Sequence, residues 1–144
     1  MPMNADIKKI WTDKLREPGR TQGICLLRDL KNRQCCLDML MEAGVEAGIQ
    51  SSPVRQTLSY VYPVDSSPNY FGYEDVEKII LTQSVCDWAG LKDRDPSVSV
   101  PEHIIRKYHM TDYKDNIVTL THLNDGMHVS FADIADIIDG DEEL

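Results

Sequence analysis

Apolar side chains recur at helical spacing through most of this chain and alternate in one short stretch, which predicts an α+β domain, mostly helical, with a small hairpin or sheet. Ile7, Ile10, Trp11 and Leu15 share one face of a first helix that Asn4 or Asp6 can cap and that Pro18-Gly19 ends. Gly23 to Leu27 is short, apolar and bounded by turn formers, so it reads as an extended strand. From Arg33 to Ala47 the period is helical again, with Cys36, Leu40, Ala43 and Ala47 on a face of small side chains and Gly48 as its stop. Gln50 to Gln56 reads as a loop, and Thr57 to Tyr62 alternates as a half-buried strand closed by Pro63. Ser66 to Asn69 is a turn, and Tyr70 to Tyr73 is either the returning strand of a hairpin or an aromatic loop. Glu74 to Leu81 and Gln83 to Leu91 are both helix-like; Lys92 to Val100 is a polar connector, and Pro101 opens a short helix through Tyr108.

The strongest local prediction lies at Leu120 to Asp139, LTHLNDGMHVSFADIADIID. Ser130 with Asp133 three residues on has the form of a capping box, so a helix starts at Phe131 and turns Phe131, Ile134, Ala135 and Ile138 to one side. Asp125-Gly126 makes a turn before it, and the preceding Ile117 to Asn124 is read as the first arm of a helix hairpin. A DNA-reading helix-turn-helix is disfavoured because this last helix is acidic where phosphates would lie. No repeat or internal boundary interrupts the chain, so residues 1–144 form one domain, with 140–144 expected to be a flexible acidic tail.

Composition narrows the class. A chain of 144 residues with 42% apolar side chains can bury one ordinary core. The net charge of -9 argues against a surface that tracks nucleic acid, and no stretch approaches a membrane span. The charge is uneven: residues 1–72 carry 9 basic and 8 acidic side chains, residues 73–144 carry 6 and 16, and the first 34 residues hold 8 basic against 4 acidic. An anion site is therefore expected in the N-terminal third. MPMNADIKKIW has no apolar run of signal-peptide length, so a reduced, cytoplasmic chain is expected and Cys25, Cys35, Cys36 and Cys86 are read as buried thiols.

Candidate chemistry is of the binding kind. Arg28, Arg33 and Gln34 precede the cysteine helix, whose N-terminus offers free N–H groups, and Arg16 and Arg20 add guanidinium forks suited to phosphate. Isolated arginines are more often solvated surface groups, and no glycine-rich phosphate loop accompanies these. Tyr70, with Tyr60, Tyr62, Phe71 and Tyr73, can stack a base or build the inner face of a hairpin. Asn124 and Asp125 can hold ribose or base edges, or serve as turn and capping residues. His122 and His128 lack the spacing of a helical metal pair, no paired CxxC or GxSxG motif occurs, and neither cofactor, metal nor catalysis is expected.

Cys35-Cys36-Leu37, Trp88-Ala89-Gly90-Leu91, Leu123-Asn124-Asp125 and Ser130 to Asp136 together resemble small uncharacterised proteins of phages and bacteria with the pattern CCLG, WAGL, LND and SFxEIADxI. Trp11, Leu15 and Thr21-Gln22-Gly23 match the opening of that pattern, while Asp38 stands where glycine usually follows CCL. The organisation is also similar to Thoeris anti-defence proteins, phage products that sequester a cyclic ADP-ribose isomer. That resemblance implies a non-enzymatic sponge, often a homo-oligomer, in the host cytoplasm. Its arginines would meet phosphates, an aromatic the base, and Asn124 and Asp125 the ribose. The expected function is capture of a nucleotide-derived immune signal. The alternative is an acidic protein-interaction inhibitor of a host defence or nucleic-acid-binding protein, its C-terminal half mimicking nucleic acid or covering a basic surface.

Overall fold

The computed structural model describes residues 2–64, 76–110 and 116–144. The described chain is an α+β domain in which helix α1 (Ala5–Arg16) packs against both α5 (Phe131–Gly140) and α2 (Asp38–Glu46). A three-stranded antiparallel sheet runs β1 (Val54–Arg55), β2 (Tyr60–Pro63), β3 (Val76–Glu77), and a second pair joins β4 (Ser97–Ser99) to β5 (Ile117–Thr119). In register, Val54 faces Val61, Tyr62 faces Glu77, and Val98 faces Val118. Helix α3 (Gln83–Ala89) follows β3 along the chain, and α4 (Glu102–Lys107) falls between β4 and β5.

Each end of α1 follows from its sequence. The Asn4 carboxamide oxygen accepts from Asp6 N (2.9 Å) and Ile7 N (3.0 Å), and Ile7, Trp11 and Leu15 enter the core. Ile10, expected beside them, is 43% exposed, whereas the charged Lys14 is buried through its contacts with α2. Trp11 is fully buried and its indole N–H donates to Cys36 O (2.9 Å), which joins α1 to the cysteine segment. Close packing of α2 on α3 depends on Gly44, where a Cβ would stand 2.9 Å from Val85 Cγ2.

Five expected elements differ. The cysteine helix begins at Asp38 rather than Arg33, because Gln34 N is committed to Thr21 O (2.9 Å) and Cys35 N to Leu27 O (3.0 Å). Gly23 to Leu27 is a bend with backbone pairing at its flanks, Gln22 and Arg28, both against Gln34. The helix expected over Glu74 to Leu81 is replaced, within its described part, by β3, since Val76 and Glu77 pair with Pro63 and Tyr62. The polar connector Lys92 to Val100 contains β4, and the first arm of the C-terminal hairpin is β5 followed by a π-helical turn, His122–Gly126. The i+5 bond from Met127 N to His122 O (3.0 Å) closes that turn. The turn at Ser66 to Asn69 and the segment Tyr70 to Tyr73 lie outside the described residues.

Helix α5 starts where the capping pattern puts it: Ser130 Oγ accepts from Asp133 N (3.2 Å), and Phe131, Ile134, Ala135 and Ile138 are buried. The Asp133 carboxylate serves a neighbour instead of its own cap, accepting from Lys107 Nζ (2.8 Å) and Tyr108 Oη (2.5 Å). The acidic end, expected to be flexible, makes contacts with the body: Met3 N donates to Leu144 O (2.6 Å), Lys8 Nζ to Asp141 O (2.7 Å) and Ser99 N to Asp141 Oδ2 (2.8 Å).

Trp11→Phe keeps the ring but strands the Cys36 carbonyl, so urea unfolding is expected to show a loss of about 1–3 kcal/mol with an unchanged m-value.

Candidate functional site

The polar positions of the cysteine segment and α2 recur every fourth residue, Gln34, Asp38, Glu42 and Glu46, which places them in line. Three cations reach this stripe from elsewhere. Lys14 Nζ lies 2.6 Å from Glu46 Oε1 and 3.3 Å from Glu42 Oε1. Arg20 straddles Glu42, with Nη1 2.9 Å from Oε2 and Nη2 3.0 Å from Oε1. Arg28 Nε is 3.2 Å from Asp38 Oδ2, and its guanidinium carbon sits 6.0 Å from the centre of the Tyr60 ring. Gln34 links the groups, donating to Asp38 Oδ2 (2.5 Å) and Glu42 Oε2 (3.2 Å) and accepting from Arg20 Nη1 (3.1 Å).

Burial decides the charge states along this line. Asp38 is fully buried, and burial raises its pKa against the opposing pull of the Tyr62 hydroxyl, Arg28 and Gln34. Tyr62 Oη donates to Asp38 Oδ1, and burial followed by that carboxylate raises the phenol. Glu42, a quarter exposed, is held at about 2, first by the hydrogen bonds from Arg20.

Beneath this network a second set of bonds fixes the loop that carries it. Asn124 is fully buried in the π turn; its oxygen accepts from Gln22 Nε2 (2.9 Å) and Cys36 N (3.1 Å), and its nitrogen donates to Gly23 O (2.8 Å) and Asp125 Oδ1 (2.8 Å). Those four bonds use the full capacity of a carboxamide. Gly23 is required above it, because a Cβ there would meet Arg33 Cβ at 2.7 Å.

Five of the seven residues expected to bind ligand thus belong to one assembly: Arg28, Gln34 and Asn124 by the bonds above, Asp125 through Asn124, and Arg33 through its packing on Gly23. Their roles differ. Asn124 has no surface or bonding capacity for ribose, so it holds the loop; Arg33 is half exposed and steadied by Asp29, its Nε 2.6 Å from Oδ2. Arg16 stands apart, bridging α1 to Asp136 and Asp139 of α5 at 2.8 Å each. Tyr70 lies outside the described residues. Tyr60 and Tyr62, expected either to stack a base or to line a hairpin, lie in β2 beside Arg28 and Asp38; Lys14, Asp38 and Glu42 carry no such expectation, although the four-residue spacing from Gln34 to Glu46 signals a polar stripe on the cysteine helix.

The three buried thiols are held protonated by their surroundings. Burial pushes Cys35 up to about 12 and Cys86 to about 11, and Cys36, fully buried, is also raised. Cys25, expected buried, is exposed. Among the described residues no group of three or more His, Cys, Asp and Glu is placed to hold a metal ion, and no helix is long and apolar enough to cross a membrane.

A family model described as a domain of unknown function, DUF8296, matches residues 3–142. No curated protein and no solved structure matches the chain.

Two outcomes are expected. Asn124→Ala strands Cys36 N and Gly23 O and should cost about 2–4 kcal/mol in urea unfolding. Glu42 has a folded-state pKa below its unfolded value, so its stabilisation is complete above about pH 4.5 and is lost as pH falls toward about 2; burial of Asp38 works in the opposite sense. Glu42→Gln should therefore be less stable than wild type at neutral pH, with the difference closing below pH 4.5 in a pH series of thermal melts.

Proposed function

The chain belongs to the DUF8296 family, and we propose that it acts by binding rather than by chemistry, as a phage-encoded anti-defence protein that captures a nucleotide-derived immune signal, a cyclic ADP-ribose isomer or a cyclic nucleotide, in the host cytoplasm. The observation that carries this reading is the convergence of Arg28, Arg33 and Gln34 on one loop. That loop is clamped by Asn124 and flanked by the Tyr60 ring. Forked guanidinium groups suit phosphate oxygens, and an aromatic face beside a guanidinium suits a base. A rigid loop lowers the ordering cost of binding, which suits tight retention of a scarce molecule. The raised thiols are consistent with retention without turnover. A homo-oligomer, as in other sponges, would multiply the sites without changing them.

A second reading has its own support. The described cations around α2 are each matched by a carboxylate, while Glu142 and Glu143 stand exposed beside a cleft lined by Ser99, Pro101, Ile137 and Asp141. Such an edge suits a basic surface on a host protein, and salt would weaken that complex sharply.

Purified protein incubated with extract from cells with an active nucleotide-signalling defence, then heat-denatured, is expected to release an intact nucleotide detectable by mass spectrometry. Arg28→Ala/Arg33→Ala should release at least about tenfold less. Degradation products would make it an enzyme, and an empty protein would favour the host-protein reading.

A further inference from the structure

Five side-chain nitrogens converge on the Glu42 carboxylate. Lys14 Nζ (3.3 Å) and Arg20 Nη2 (3.0 Å) reach Oε1, while Arg20 Nη1 (2.9 Å), Gln34 Nε2 (3.2 Å) and Arg28 Nη2 (3.5 Å) reach Oε2. Three cations and an amide around one small anion form a donor set suited to phosphate as well as to carboxylate. Arg20 Nε is buried and has no hydrogen-bond partner, although both terminal nitrogens of the same guanidinium are occupied. That N–H points away from the Nη1–Nη2 fork that holds Glu42, so the donors an incoming anion would meet are the fork itself, Lys14, Arg28 and Gln34.

We propose that Lys14, Arg20, Arg28 and Gln34 form a phosphate site that Glu42 fills when no ligand is bound, and that a phosphate group of the ligand displaces Glu42 into water. The proposal rests on the ligand-binding reading above and names the anionic subsite. Displacement is sterically open, because the Glu42 side chain is a quarter exposed. It is also electrostatically balanced. Lys14 keeps Glu46 (2.6 Å), Arg20 keeps Glu17 (3.1 Å) and Arg28 keeps Asp38 (3.2 Å) when Glu42 leaves. The exchange replaces one anion with another, as a phosphodiester, an esterified pyrophosphate bridge or free pyrophosphate can do. Glu42 thereby sets a threshold: weak anions do not dislodge it, and only a ligand with further contacts to the 22–36 loop does so.

The test is calorimetric titration of inorganic pyrophosphate into wild type, Glu42→Ala and Arg20→Gln/Glu42→Ala, with ionic strength held constant by chloride. Glu42→Ala is expected to bind at least about tenfold tighter than wild type, and the double variant to lose that gain. If Glu42→Ala folds poorly, Glu42→Gln, which keeps the size and removes the charge, is measured in its place with the same order expected. Equal affinity in wild type and the Glu42 variant, or a gain that survives Arg20→Gln, would overturn the proposal. An intact nucleotide released from extract together with no pyrophosphate gain would place the phosphate elsewhere and leave the sponge reading standing. Pyrophosphate gain with an empty protein would keep the subsite and remove that ligand class.

Discussion

One buried carboxamide holds the 22–36 loop against the rest of the molecule. Asn124 sits in the π turn before α5 and bonds across about a hundred positions of sequence to Gln22, Gly23 and Cys36. An α-helical turn would not project the side chain in the same way, and the i+5 closure from Met127 to His122 is what gives the segment its wider turn. With its capacity filled, the amide ties Gln22 and Gly23 at the start of the loop to Cys36 at its end. The irregular loop then keeps Gln34 between Gln22 and Arg28 on its two sides. Remove that clamp and the guanidinium groups above it lose their common orientation.

The ionic layer and the apolar layer use the same short segment differently. Cys35, Cys36 and Leu37 pass inward as small hydrophobes, and Cys36 N and O are consumed by Asn124 and Trp11. Gln34, Asp38 and Glu42 face the other way and gather cations from α1, the 20–22 turn and the loop. Asp38 is the most costly member, a fully buried carboxyl that remains only because Tyr62, Arg28 and Gln34 meet it.

Where a local code is strong, the structure is readable from residues alone. Asn4, Ser130, Gly90 and the face Phe131, Ile134, Ala135, Ile138 predict helix ends and the buried side of α5 because each acts within one or two turns. Elements decided by distant partners are not readable in that way. Val76 and Glu77 become a strand because Tyr62 and Pro63 are there to pair with them, and Ser97 to Ser99 because of Ile117 to Thr119. The start of α2 moves to Asp38 for a similar reason, since Thr21 and Leu27 take the N–H groups of Gln34 and Cys35. The site divides on the same line. The arginines of residues 1–34 mark a basic region by charge, but the carboxylates that match them, Glu42, Asp38 and Asp136, are brought near only by tertiary contacts. Asn124 was singled out for its chemistry and turns out to apply that chemistry to the fold.

The central claim is that ligand recognition occurs where the 22–36 loop meets α2. It is tested most directly by following backbone amides and arginine Nε–H signals in ¹H–¹⁵N NMR spectra while ADP-ribose is added. Shifts concentrated at residues 22–36, at Asp38 to Glu46 and at Arg20 are the predicted result. Shifts confined to α5 and the acidic end, or none at all, would contradict it.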